Sequence, residues 1–287
     1  MSAPAAASAV GFRFADLAAA RIGYFDAGAG DCVLLVHGSY GSSSHWAHNV
    51  GALSRRARIV APDLPGFGAS ANAPAGADLA YFARSLGELM EALGEPSFSL
   101  AGYSFGCLVA AQLAREKPAS VRTLTLVSPP ICATPPEMEE LQRRIGELAS
   151  RGATRAAVEL MLERIALHEP GRRTEEAVRL TLDNLRRCRF RARPLQRASS
   201  LAELLKAVSC PVGALLGAAD PFYAGEAARA AEKLEQALPG AQAQLVAGAA
   251  HWVCYDAPEA TNAAILAAAL RAPVHASVHA SVHASLK

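Results

Sequence analysis

Residues 100–107 read LAGYSFGC, and the middle five, Gly102-Tyr103-Ser104-Phe105-Gly106, set a serine between two glycines. The spacing G-x-S-x-G arises often by chance, so its surroundings decide what it means. FSLAGYS (98–104) is an apolar run of strand length, and a helical pattern follows over 106–116. A strand running straight into a helix forces a sharp turn, and small residues at 102 and 106 let the flanking backbones pass closely. Such a turn presents the Ser104 hydroxyl at the C-terminal edge of a sheet, beside a helix N-terminus whose N–H groups favour developing negative charge.

The same strand pattern recurs on both sides. GFRF and RIGYFDAG read as two short N-terminal strands, with a turn at 28–31 before CVLLVHG (32–38). ARIVAPD (57–63), VRTLTLVS (121–128) and PVGALLGAAD (211–220) are continuous apolar runs, the mark of strands covered on both faces. Helix-like segments at 45–56 and 78–93 lie between them. Strands alternating with helices predict an α/β fold, a doubly wound and mostly parallel sheet. From 129 to 205 the alternation stops, and MEELQRRIGELASRG, TRAAVELMLERIAL and TEEAVRLTLDNLRR are helical without a convincing strand. We therefore expect a core of residues 1–128 and 207–272, a helical cap at 129–206 above it, and a disordered tail at 273–287.

Bulk properties narrow the function. The net charge of +2, from 28 basic and 26 acidic residues, offers no whole-chain argument for nucleic acid or an anionic membrane. MSAPAAASAV has no basic residue and does not resemble a secretory signal, and no apolar run is long enough to span a bilayer. The six cysteines lack C-x-x-C spacing, so neither a zinc site nor a redox pair is expected, and a reduced, cytoplasmic protein fits. No cofactor is implied; a small-molecule substrate is the expected partner, and self-association stays open. In the repeat VHASVHASVHAS, His275, His279 and His283 would share one helical face able to bind a metal, but short terminal repeats read as unstructured.

The cap carries an unusual charge. Residues 141–200 hold fourteen arginines, no lysine and seven acids, a local balance of +7. One reading is a solvated helical surface; the other aims some arginines of RRCRFRAR (186–193), Arg189 among them, at an anionic substrate.

A serine needs a base to attack at neutral pH, and the base needs an orienting group. Of the eight histidines, three lie in the tail, His168 in the cap, and His37, His45 and His48 just after the third strand. Only His251 follows a late strand (AQAQLVAG) in a short loop, with Asp256, Pro258 and Glu259 reading as a helix start beyond it. Asp220, at the end of the strand after the cap, is the best acid. Asp63 also ends a strand, but opens DLPGFGAS, which reads as a structural turn.

With these pieces in order, residues 10–271 resemble α/β-hydrolase-fold enzymes. The resemblance rests on HGSYGSSSHW (37–46), DLPGFGAS (63–70), GYSFG (102–106), GAADPF (217–222) and the AAHW around His251. It implies a triad of Ser104, Asp220 and His251, and an oxyanion hole from the backbone N–H groups of Phe105 and Ser39, with Tyr40 the alternative donor. His37 reads as a satisfied polar residue beneath the site, and Cys107 as a small core residue. Tyr40, Tyr103, Phe222 and Trp252 are pocket candidates, Trp252 equally a core residue. The region of His251-Trp252 is similar to carbon–carbon-bond hydrolases acting on meta-cleavage products and to carboxylesterases. The resemblance implies a serine hydrolase cleaving an ester, thioester or vinylogous ketone of a small molecule, and the arginine-rich cap alone points to a carboxylate on that molecule. Acyl transfer by the same triad, or ligand sensing without turnover, are the alternatives.

Overall fold

The computed structural model describes residues 8–271. Eight strands form one sheet in the order β1-β2-β4-β3-β5-β6-β7-β8. They are β1 (Ser8–Asp16), β2 (Arg21–Gly28), β3 (Cys32–Val36), β4 (Arg58–Pro62), β5 (Phe98–Tyr103), β6 (Val121–Val127), β7 (Val212–Gly217) and β8 (Gln242–Val246). The first two strands pair antiparallel with each other and β2 antiparallel with β4, while every pair from β4 to β8 is parallel. The C-terminal ends of six strands therefore share one edge, where loops can converge on a site.

The described residues form eleven α-helices: α1 (Val50–Leu53), α2 (Leu79–Ala92), α3 (Phe105–Glu116), α4 (Pro136–Ser150), α5 (Thr154–Met161), α6 (Glu175–Arg186), α7 (Arg193–Ala198), α8 (Leu201–Leu205), α9 (Ala227–Ala237), α10 (Val253–Asp256) and α11 (Pro258–Arg271). Strand alternation divides the apolar residues between two cores. From β3, Leu34 and Val36 pack with Phe82 of α2, Phe105 of α3 and Leu234 of α9. Val33 and Leu35 face the other way, with Leu53 of α1, Val253 of α10 and Ile265 of α11. Both faces being covered explains why these strands read as unbroken apolar runs.

Two expectations change. The helix expected over 45–56 is instead a 3₁₀ turn, Ser43–Trp46, and the single turn α1. The His45 carbonyl, which a continuous helix would pair with Asn49, accepts the Trp252 indole N–H at 3.1 Å. Asp256 does not open a helix: it ends α10, is 5% exposed, and turns its carboxylate to three backbone N–H groups. The segment between β6 and β7 carries α4 to α8 and, among the described residues, no strand. The repeat with His275, His279 and His283 lies outside the described residues.

Candidate active site

Ser104 sits between β5 and α3 at φ 51°, ψ −114°, a conformation rare for a non-glycine residue. Its N–H donates to the Val127 carbonyl (2.9 Å) and its carbonyl accepts from the Cys107 N–H (2.9 Å). These bonds hold the strained residue from both sides. A Cβ on Gly102 would strike the Gly106 carbonyl, and one on Gly106 the carbonyls of Val36 and His37. Both glycines are thus required by close backbone approach.

His251 reaches Ser104 from the loop after β8. Its Nε2 lies 3.0 Å from Ser104 Oγ and its Nδ1 lies 2.7 Å from Asp220 Oδ2. A carboxylate only accepts, so Nδ1 carries the proton and Nε2 is free to accept from the serine hydroxyl. Asp220 is 2% exposed, and its other oxygen accepts the Phe222 N–H at 2.9 Å. The Phe222 ring stands 4.6 Å from the imidazole, flanking it. The three side chains can pass a proton from hydroxyl to imidazole while a buried anion stabilises the resulting charge.

The loop after β3 abuts the serine. A Cβ on Gly38 would lie 3.2 Å from Ser104 Cβ, so the chain leading into Ser39 runs against Ser104. Ser39 Oγ donates to Gln196 Oε1 of α7 at 3.2 Å. Tyr40 has φ 57° and is 45% exposed. Phe105, the first residue of α3, has an N–H without an intrahelical acceptor, as all first-turn N–H groups do. His37 lies wholly buried below, its Nδ1–H donating to the Gly38 carbonyl (2.8 Å) and its Nε2 accepting from the Leu64 N–H (2.9 Å). Burial depresses its pKa, so it stays neutral and braces the loop. Asp63 takes the Ser43 and Ala69 N–H groups at 2.7 and 2.8 Å, as a turn-forming residue does.

Of the other candidates, Tyr103 holds its ring 5.6 Å from the His251 imidazole. Tyr103 and Trp252 are both buried, with His45 between them at 5.2 and 5.0 Å. Cys107 is buried within α3, its thiol donating to the Gly102 carbonyl at 3.1 Å, and burial raises its pKa far above the ordinary thiol range. Arg189, which one of the two readings aims at an anionic substrate, donates its guanidinium to Asn72 Oδ1 and to the carbonyls of Gly68, Ser70 and Arg187. A planar donor fork fits this ring of oxygens, which ties the segment before α7 to the loop after β4. Arg143, Arg155, Arg186 and Arg197 pair with glutamates or aspartates on the exposed surface.

Two side chains bond to the His251 loop in ways the sequence does not announce. Ser128, one residue past β6 and at φ 48°, donates its hydroxyl to the His251 carbonyl at 2.7 Å. Asp256 accepts the Ala250 N–H at 2.9 Å, next to the histidine. Among the described residues no group of histidine, cysteine and acid side chains could hold a metal ion, and no helix is long and apolar enough to cross a membrane.

Comparison with known proteins places this geometry. The model of the family described as "Alpha/beta hydrolase family" matches residues 33–264. Over 123 residues the chain is 37% identical to the dihydrolipoyllysine-residue acetyltransferase component of the acetoin cleaving system of Cupriavidus necator; the match covers 42% of this chain and spans only 33% of that protein. Over 250 residues it is 26% identical to the (E)-2-((N-methylformamido)methylene)succinate hydrolase of Acinetobacter baylyi, covering 85% of this chain and 92% of that one. A thermophilic esterase from Thermogutta terrifontis, solved with malate bound, superposes with a TM-score of 0.68 at 26% identity, over 89% of this chain and 96% of the other. Carboxylesterase CesB from Bacillus subtilis shares the fold, with a TM-score of 0.75 at 20% identity over 93% of each chain.

Proposed function

The chain belongs to the alpha/beta hydrolase family, and from that premise we propose a serine hydrolase that cleaves an ester, thioester or vinylogous ketone of a small, carboxylate-bearing molecule through an acyl-enzyme. The observation that carries the reading is the contact pair at His251, 3.0 Å to Ser104 Oγ and 2.7 Å to Asp220 Oδ2. As Ser104 Oγ bonds to the substrate carbonyl carbon, its proton passes to His251 Nε2. Asp220 accepts Nδ1–H, which keeps the tautomer and offsets the imidazolium charge. The oxyanion is met by the N–H groups of Phe105, at the N-terminus of α3, and of Ser39, in the loop after β3. Collapse expels the leaving group, which takes the proton from His251. Water then gives a proton to His251 as it attacks the acyl carbon, and Ser104 leaves with that proton.

Support for a carboxylate on the substrate is the +7 balance of residues 141–200, together with two relatives. One hydrolyses a substituted succinate and the other was solved with malate, both dicarboxylates. The acetyltransferase relative favours a second reading, transfer of the acyl group to an acceptor other than water. Analysing products with and without an added thiol or alcohol separates the two.

The test of the nucleophile is labelling with a serine-directed fluorophosphonate followed by peptide mass analysis. The adduct is expected on Ser104 alone; an adduct on another serine, or none, overturns the assignment.

A further inference from the structure

The helical segment between β6 and β7 does not merely rest above the sheet; its backbone is bonded to the loop that carries His251. Helix α5 ends in a π-turn, Leu162–Ala166, closed by the Leu167 N–H on the Leu162 carbonyl at 2.9 Å. The last carbonyls of any helix lack intrahelical donors, and here two of them take donors from the histidine loop. The His251 N–H donates to the Ile165 carbonyl at 3.2 Å, and the Trp252 N–H to the Ala166 carbonyl at 2.8 Å.

Asp256 closes this junction. Its Oδ2 accepts the His168 N–H at 2.7 Å and the Ala250 N–H at 2.9 Å, and its Oδ1 accepts the Glu169 N–H at 3.4 Å. One buried oxygen thus bridges the inserted segment and the residue before His251. On the other side of residues 167–169, Arg173 donates to the Leu167 and His168 carbonyls at 3.0 Å each. The segment is held by an anion at its N–H groups and a cation at its carbonyls. Ser128 fixes the His251 carbonyl independently, from the end of β6.

We propose that Asp256 is a positioning residue, joining the inserted helices to the His251 loop so that the imidazole faces Ser104 only while residues 167–169 are seated. The proposal rests on the catalytic reading of Ser104 and His251, and it makes the inserted segment a part that sets turnover as well as one that borders the substrate. Asp256 touches no reacting atom. Its loss therefore acts on the base through the Ala250 backbone, at 2.9 Å.

The test compares Asp256→Asn and Asp256→Ala with the parent, using a small neutral p-nitrophenyl ester that needs few contacts with the inserted helices. Asn keeps the size but loses the charge, and its NH₂ group meets N–H donors at one of the two oxygen positions. Both variants are expected to lose kcat, about tenfold for Asn and more for Ala, with KM within about twofold and the fluorophosphonate labelling rate of Ser104 falling in step with kcat. Should Asp256→Ala fail to fold, Asp256→Asn decides alone. A folded variant with parental kcat and labelling rate overturns the proposal, as does a loss confined to KM. Ser104→Ala run beside them separates the two levels: its full activity would sink the catalytic reading, whereas an inactive Ser104→Ala beside a parental Asp256→Asn would sink only this inference.

Discussion

Ser104 and Ser128 each stand one residue past a parallel strand, and both hold positive φ, 51° and 48°. In one the conformation lifts the hydroxyl toward His251, and in the other it aims the hydroxyl at the carbonyl of the same histidine. His37 shows what burial does to a third side chain nearby. It is wholly buried, Nδ1 serves as donor and Nε2 as acceptor, and its pKa is pushed below the ordinary 6.5. Its unfolded form binds a proton near that ordinary value while its folded form does not. The sign follows: this contribution is fully present above about pH 6.5 and is lost as pH falls toward the folded pKa, with a slope of at most about 1.4 kcal/mol per pH unit. Denaturant unfolding of the parent and His37→Gln between pH 8 and 5 checks it, the variant being less stable at pH 8 with a shallower acid slope. Equal slopes would reject the buried neutral imidazole. Ser104 was legible because its strand, helix and glycines are all local. Ser128 was not, since its partner lies 123 residues away and nothing near VSPP announces it.

Elements were legible where one face or both decide their pattern. The apolar runs of β3 to β7 gave strands, and the helical pattern over 78–93 gave α2, whose N-terminus the structure caps with Asp78, accepting the Tyr81 N–H at 2.8 Å. The sharp turn from β5 to α3 is set by backbone contact, so the glycines that mark it in the sequence are steric necessities. Gly106→Ala would drive a methyl into the carbonyls of Val36 and His37, neither of which can swing aside. The expected loss is about 1–3 kcal/mol in urea unfolding, the scale of overpacking at a close contact; an unchanged midpoint would contradict the close approach. What failed at this scale failed for tertiary reasons. The helix expected over 45–56 breaks where a distant indole takes the His45 carbonyl. The spacing of Asp256 and Glu259 matches a capping pair, yet the carboxylate is spent on backbone N–H groups of residues 168, 169 and 250. An acid five residues past His251 and two before Pro258 was the signal available for it.

At the scale of the whole molecule, parallel strands bring loops from distant parts of the chain to one sheet edge. Ser104, Asp220 and His251 meet there because each follows a strand, β5, β7 and β8, whose C-terminal end lies on that edge. Chain order and strand endings single out these three side chains in the sequence, and the parallel sheet is why their hydrogen bonds form at one edge. The charge of the inserted segment was legible only as a sum. Which arginines meet acids and which meet carbonyls depends on how α4 to α7 pack, and Arg189 is spent on the loop after β4. The proposed hydrolysis stands on Ser104 as nucleophile. Steady-state hydrolysis of a neutral p-nitrophenyl ester by Ser104→Ala, with circular dichroism to verify the fold, tests it most directly. A nucleophilic Ser104 requires a fall in kcat of at least about a thousandfold with the fold unchanged; turnover within tenfold of the parent would contradict that role.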